Sequence, residues 1–319
     1  MEVWKIIVID LSVILFVILL LFAIAALCHK TAFGKRYDKN PLLKYFTAKD
    51  FGLTADEFPL GCLYGAIYNG AKTNGEVIIF VHGMGPGHCA YMTEIAYFCN
   101  LGYTVVAVDS LGCGLSLGKK IKGMYEGVIS AVDTVDFVQK QFENSKVYLV
   151  GHSWGGYSAL CASAARKVDK VVAISAPSTP AKTLQCGAKQ FIGGLLAAIL
   201  SPFWWLINLT VFGKKGNANA AKCASNNNTP TLLIHGDSDK IVGKNNAVIN
   251  KADGKNIQKL IVKGKAHNPY NTVAAEQKLA ELSAALRRAD KDYFSNFDFT
   301  AATEEDAAVM SEIVNFLQK

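Results

Sequence analysis

The chain has 319 residues, a size that suits one large α/β domain with attachments. It is 51% hydrophobic and only 18% charged, with a mean hydropathy of +0.21, so part of it is not water-facing. The net charge of +7 is spread out, and the absence of an Arg-rich helix or an aromatic-interleaved basic motif argues against nucleic acid and toward an anionic membrane surface.

In chain order, the first element is residues 6–28, IIVIDLSVILFVILLLFAIAALC, whose only charge is Asp10. As a helix it covers roughly 30 Å, the thickness of bilayer hydrocarbon. A cleaved signal peptide is disfavoured: Lys5 is offset by Glu2, the apolar run is too long, and no A-x-A site follows. A lipoprotein signal is disfavoured too, because Leu27 precedes Cys28 where a small residue is wanted. The expectation is an uncleaved membrane anchor over 1–29. Lys30, Lys35, Arg36, Lys39, Lys44 and Lys49 follow the run and only Lys5 precedes it, which predicts a cytoplasmic catalytic domain. The eight cysteines are scattered, with no CxxC pair and no metal-ligand spacing, and read as reduced packing residues.

Residues 30–50 read as a basic juxtamembrane linker and 51–319 as the folded domain. From about residue 60, short β-rich runs alternate with helical patterns, predicting a mostly parallel sheet covered by helices on both faces. The strands are VIIFVH (77–82), YTVVAVD (103–109), KVYLVGH (146–152), KVVAISA (170–176), TLLIHG (231–236) and KLIVKG (259–264), each nearly all apolar. Helices are expected at 89–100, about 121–143, 155–167, 243–252, 272–288 and 305–318. The stretch at about 178–229 breaks the alternation and reads as an inserted lid.

The chemistry centres on Gly151-His152-Ser153-Trp154-Gly155-Gly156. It follows the apolar run VYLV and precedes YSALCASAA, so it sits on the strand-to-helix turn that a nucleophile elbow requires. Ser153 needs a base to take its proton. Of the six histidines, His29 abuts the anchor, His82 and His88 flank the first loop, His152 lies inside the elbow and His235 ends a strand. His267, in GKAHNP just after the last strand, is in position. The orienting acid belongs at the end of the preceding strand, where HGDSDKIV offers Asp237 and Asp239. Asp239 is favoured because it sits further into the turn, while Asp237 suits a turn-capping role. Oxyanion donors are expected from the backbone N–H groups of Met84 and Trp154. The loop His82-Gly83-Met84-Gly85-Pro86-Gly87 lacks both GxGxxG and a GK[ST] ending, so a nucleotide site is disfavoured.

HGMGPGHCAY, DSLGCGLS, GHSWGG, HGDSDKIV and GKAHN, in this order across residues 77–268, resemble the α/β-hydrolase superfamily. The likeness is greatest to its monoacylglycerol-lipase-like and serine-aminopeptidase-like branch. That resemblance implies an α/β-hydrolase fold, a Ser153, Asp239, His267 triad, an oxyanion hole at Met84 and Trp154, ester hydrolysis through an acyl-enzyme, and no cofactor or metal. The anchor, Trp154 where monoacylglycerol lipases carry methionine, and the extra residues before the last helix depart from the pattern and leave the substrate open.

Residues 181–228 carry five lysines, no aspartate or glutamate, and the apolar run FIGGLLAAILSPFWWLINLTVF. An exopeptidase must hold an ammonium group, and a buried cation needs a carboxylate partner, so this lid favours an acyl chain over a peptide. Trp204 and Trp205 suit the lipid headgroup level, the alternative being that FWWLI packs down over the core. Pro202, Gly193 and Gly194 argue against a second membrane span. The expected activity is a serine hydrolase of lipid-like or other acyl esters with membrane lipid as a partner; thioesterase, amidase and peptidase chemistry, or a non-catalytic binding role, use the same fold.

Overall fold

The computed structural model describes residues 2–288 and 291–319. Helix α1 (Val3–Phe33) contains the N-terminal apolar run, and its apolar side chains lie on every side, leaving no face suited to water. It is long and apolar enough to cross a membrane, and Val3 through Leu20 stand clear of the rest of the chain. The helix runs past the expected boundary at 29. The following stretch is also more than a linker: the Arg36 guanidinium donates to the carbonyls of Ser116 and Gly118, both at 2.8 Å, and to that of Gly114. Tyr37 N–H donates to the Gly112 carbonyl at 2.8 Å, so the segment is docked onto the domain.

A hairpin follows, β1 (Thr54–Leu60) and β2 (Leu63–Asn69), turning at Gly61 with φ of 61°. The sequence reading did not anticipate it, because TADEFPL carries two acids and a proline. Those residues suit an exposed edge strand, where unpaired backbone groups must be protected from other chains.

The rest alternates as expected: β3 (Val77–Val81), α2 (Met92–Asn100), β4 (Thr104–Asp109), α3 (Tyr125–Gln141), β5 (Val147–His152), α4 (Trp154–Ser163) and β6 (Lys170–Ile174). The insertion supplies α5 (Pro180–Ile192), α6 (Gly194–Phe212) and α7 (Ala220–Ser225). The chain then makes β7 (Thr231–Gly236), β8 (Ile257–Val262), α8 (Val273–Arg288), α9 (Lys291–Ser295) and α10 (Ala307–Gln318). The strand order is β1-β2-β4-β3-β5-β6-β7-β8, parallel from β4 through β8. Alternate side chains feed two cores. Val77, Ile79 and Leu149 pack with α1, α3, α4 and α6, while Ile78, Phe80 and Val150 pack with α2 and α10. This is the α/β-hydrolase fold.

Residues 243–252 do not form the expected α-helix; only Val248–Asn250 make a 3-10 turn. Gly243 begins the segment with φ of 70°, and its backbone bonds outward. Ser178 N–H donates to the Asn246 carbonyl at 2.7 Å, and Val248 N–H donates to the Ala176 carbonyl at 3.0 Å. Those bonds fix the lid's first turn to the loop after β7. Of the two tryptophans, Trp204 is fully buried, in line with packing over the core, and Trp205 is exposed.

Candidate active site

The elbow is built by close backbone approach. β5 stops at His152, α4 starts at Trp154, and Ser153 between them takes φ 57°, ψ −117°, a conformation that costs a non-glycine residue about 1–3 kcal/mol. It is held by Ser153 N–H donating to the Ile174 carbonyl at 2.7 Å and by Tyr157 N–H donating to its own carbonyl at 3.0 Å. A Cβ on Gly151 would strike the Gly155 carbonyl, and one on Gly155 the Val81 carbonyl. The glycines are therefore what let the turn close.

Ser153 Oγ lies 2.9 Å from His267 Nε2, and His267 Nδ1 lies 2.9 Å from Asp239 Oδ2. The Asp239 carboxylate also accepts the N–H groups of Ile241 at 2.8 Å and Val242 at 3.1 Å through Oδ1. Burial pushes its pKa up. The His267 hydrogen bond and charge and the Val242 N–H outweigh that, leaving the carboxyl below its usual value and ionised. Asp237 bonds elsewhere: it accepts from Ser238 Oγ and from Gly264 N–H at 2.9 Å, capping the facing turn after β8. The structure thus brings together Ser153, His267 and Asp239, and leaves Asp237 aside.

Trp154 and Met84 are the two residues expected to supply oxyanion N–H groups. Trp154 is the first residue of α4, so its backbone N–H has no acceptor inside its own helix. Its indole N–H is used separately, donating to the Met124 carbonyl at 2.7 Å. Before Met84, His82 fixes a peptide plane: Ser110 N–H donates to Nε2 at 2.9 Å, so Nδ1 carries the proton and donates to the Gly83 carbonyl at 2.6 Å. Since the peptide is trans, the Met84 N–H points the opposite way from that carbonyl.

Several residues that the sequence reading passed over hold these parts in register. Gly83 N–H donates to Tyr91 Oη at 3.0 Å, Tyr91 O–H donates to His152 Nδ1 at 2.9 Å, and His152 Nε2–H donates to the His267 carbonyl at 2.9 Å. One chain of bonds therefore joins the loop after β3, the elbow and the loop after β8. Burial, reinforced by the neighbouring His267, drops the His152 pKa to about 3, so the ring is neutral, as this bonding pattern requires. Glu276 of α8 clamps the backbone on both sides of His267, accepting Ala266 N–H and Asn268 N–H, each at 3.0 Å. His235 Nε2 stands 3.3 Å from Asp239 Oδ2, and burial lowers its pKa. Asp109 ties the first loop to the next, accepting His88 N–H at 2.8 Å and Leu115 N–H at 2.9 Å. Among the described residues, no group of three or more His, Cys, Asp or Glu side chains is arranged to hold a metal ion.

Known proteins share this fold. A family described as alpha/beta hydrolase fold matches residues 76–192. The "Probable aminopeptidase YbaC" of Bacillus subtilis is 35% identical over 98 residues, which is 29% of this chain and 30% of that protein. A proline iminopeptidase of Saccharolobus solfataricus is 28% identical over 122 residues, 36% of this chain and 38% of that protein. The chain thus spans about a third of the length of these curated relatives. Among solved structures, an esterase of Pyrococcus furiosus superposes with a TM-score of 0.58 at 20% identity, covering 80% of this chain and 98% of that one. A serine hydrolase of the bacterium Cycloclasticus zankles superposes at 0.50 and 17% identity, covering 74% and 98%. The sheet order, the elbow and the family match over residues 76–192 agree on one architecture, the α/β-hydrolase fold.

Proposed function

We propose that this protein is a membrane-anchored serine hydrolase that cleaves acyl esters, with Ser153 as nucleophile, His267 as base and Asp239 as its orienting acid. The observation that carries the reading is the unbroken run of two 2.9 Å hydrogen bonds from Ser153 Oγ through the His267 ring to Asp239 Oδ2, at the tip of a nucleophile elbow. Ser153 Oγ attacks the ester carbonyl carbon as its proton passes to His267 Nε2. The carbonyl π electrons move onto oxygen, where the N–H groups of Met84 and Trp154 receive them. Collapse expels the alcohol, which takes the proton from His267 and leaves the acyl group on Ser153. Water then repeats the sequence, releasing the acid and restoring the serine. Asp239 keeps the Nδ1 proton in place and stabilises the imidazolium throughout.

An ester of apolar acyl groups is favoured by the lid, which lies in a stretch with no aspartate or glutamate from Asp169 to Asp237 and contains the apolar helix α6. Burying each methylene of an acyl chain contributes about 0.8 kcal/mol. The curated relatives support a second reading, since two of them are named as peptidases. A peptidase of that kind must neutralise an ammonium group, and the lid offers no carboxylate for it. Helix α1 is read as a single span with the catalytic domain on the cytoplasmic side, as the lysines after it favour.

The test is a fluorophosphonate probe with a p-nitrophenyl ester panel of increasing chain length, read beside aminoacyl p-nitroanilides. Labelling lost in Ser153→Ala and turnover rising with acyl length support the proposal. Labelling retained in that variant, or turnover confined to the anilides, refutes it.

A further inference from the structure

Helix α6 carries apolar side chains on both its inner and its outer face. Trp204, Ala197 and Leu200 are buried in the domain, and Leu195, Ile199, Pro202 and Leu206 are exposed. At 100° per residue these four fall within about 60° of arc opposite Trp204. One flank of this ridge meets the N-terminal helix. Phe203 packs edge-on against Phe22 at 6.3 Å, and the Trp204 indole N–H donates to the Ala25 carbonyl at 3.0 Å. Soluble domains rarely leave such a face uncovered.

The length of α1 says what covers it. A span needs about 20 apolar residues. Counted from Ile6, about 20 residues end at Ala25, the residue bonded to Trp204. If the desolvation cost of Asp10 moves the start past that residue, the boundary falls deeper still against the domain. No free spacer lies between the span and the domain, so the bilayer surface meets α1 at the level where α6 packs on it. The other flank of the ridge is a groove of about 950 Å³ lined by Trp205, Lys182, Lys222 and several asparagines. A second groove of about 820 Å³ at Gly194 holds Lys182, Lys189, Lys244 and Lys251. Neither groove contains a carboxylate among its lining residues, and among the described residues none of these lysines is ion-paired.

We infer that α6 is an in-plane membrane-docking helix: its outer ridge lies in the acyl layer beside α1, and the lysine-lined grooves take the phosphates of anionic phospholipids. The inference rests on the reading of α1 as an anchor. An apolar ridge with a cationic fringe matches the boundary between headgroups and acyl chains, where helices of this kind sink about 5–10 Å. The lid is then held against the layer from which a lipid ester would enter.

The four tryptophans provide the readout, because Trp4 and Trp205 are exposed while Trp154 and Trp204 are buried. The full-length protein is reconstituted in phosphatidylcholine vesicles containing phosphatidylserine, with bromine placed either near the headgroup end or near the middle of the acyl chain. Emission assigned to each exposed ring by difference against Trp4→Phe and Trp205→Phe is then followed. We expect Trp205 emission to fall about twofold or more with the shallow bromines and less with the deep ones, and less again without phosphatidylserine. Trp4 quenched while Trp205 is untouched overturns the docking helix and keeps the anchor; both untouched overturns both. Stronger quenching of Trp205 by the deep bromines makes α6 a second span and also overturns the inference. A Leu195→Glu, Ile199→Glu double variant should lose turnover on a vesicle-borne ester about tenfold while keeping it on a soluble short-chain ester; equal turnover on both refutes the link to substrate entry.

Discussion

Tyr91→Phe removes a single oxygen from the junction that joins three loops of the candidate site. The ring itself is kept, so no cavity opens. The oxygen accepts Gly83 N–H at 3.0 Å and its proton goes to His152 Nδ1 at 2.9 Å, so one buried donor and one buried acceptor are left without partners. Each such group costs about 1–3 kcal/mol, which puts the stability loss for the two at about 2–6 kcal/mol. For a domain of this size that corresponds to a Tm lower by about 4–10 °C. In the proposed mechanism the catalytic effect follows from the loop: with Gly83 N–H released, only the His82 bond to the Gly83 carbonyl still holds the peptide that presents the Met84 N–H to the oxyanion. That interaction is made only in the transition state, so kcat falls about tenfold or more while KM stays within about twofold. The assay is steady-state hydrolysis of a short p-nitrophenyl ester, paired with thermal unfolding of the same sample. A lower Tm with kcat unchanged would show that the junction serves the fold alone, and an unchanged Tm would show that the bonds are not made.

Glu276→Gln keeps the shape of the clamp but replaces one carboxylate oxygen with an NH2 group that faces a backbone N–H. One charge-assisted bond beside His267 is lost, a cost of about 1.5–3 kcal/mol, and kcat should fall about tenfold with fluorophosphonate labelling slowed in parallel; labelling at the wild-type rate counts against it. For pH, the His152 pKa is about 3 when folded against 6.5 when unfolded, so the unfolded chain binds the extra proton and stability falls as pH drops from 6.5 toward 3. Urea unfolding at pH 7.5 and pH 5 should differ by about 2 kcal/mol from this ring alone. His152→Gln should flatten that part of the slope, and an unaltered slope would contradict it. The depressed Asp239 carboxyl adds stability that is full above its unfolded value near 3.8 and lost only below it, outside this window.

What could be read from the sequence was what local pattern encodes. Strands β3 to β7 are buried at every position but Lys170, so their runs of Val, Ile and Leu stand out without alternation. The elbow was legible because a glycine-flanked serine between a strand and a helix admits few other readings. The missing hairpin has the opposite character. β1 is mostly exposed at a sheet edge, so its composition is set by water and by protection of the edge rather than by a core. The segment 243–252 has helical spacing, yet its backbone groups find partners on the lid loop, and tertiary bonds override local preference. Tyr91 and Glu276 carry no local sign at all. Their roles arise from closures between positions far apart in the chain, Tyr91 with His152 and Glu276 with the base loop, which no window of neighbouring residues contains.

His152 shows how far the site depends on those closures. Within GHSWGG it lies next to the serine and is excluded as the base, and on sequence grounds it does nothing. In the fold it is the middle of a bonded chain whose ends are the Gly83 N–H and the His267 carbonyl. The three loops come from the ends of three different strands, β3, β5 and β8. Bonded through one neutral ring they hold Ser153, His267 and the Gly83–Met84 peptide in one register. Such a unit responds non-additively to mutation: once Tyr91→Phe has broken the chain, replacing His152 should cost catalysis little more. The lid follows the same logic on a larger scale. It is pinned at Ser178 and Asn246 to the segment after Asp239, and at Trp204 to helix α1, so the N-terminal helix and the Asp239 loop grip the two ends of one insertion.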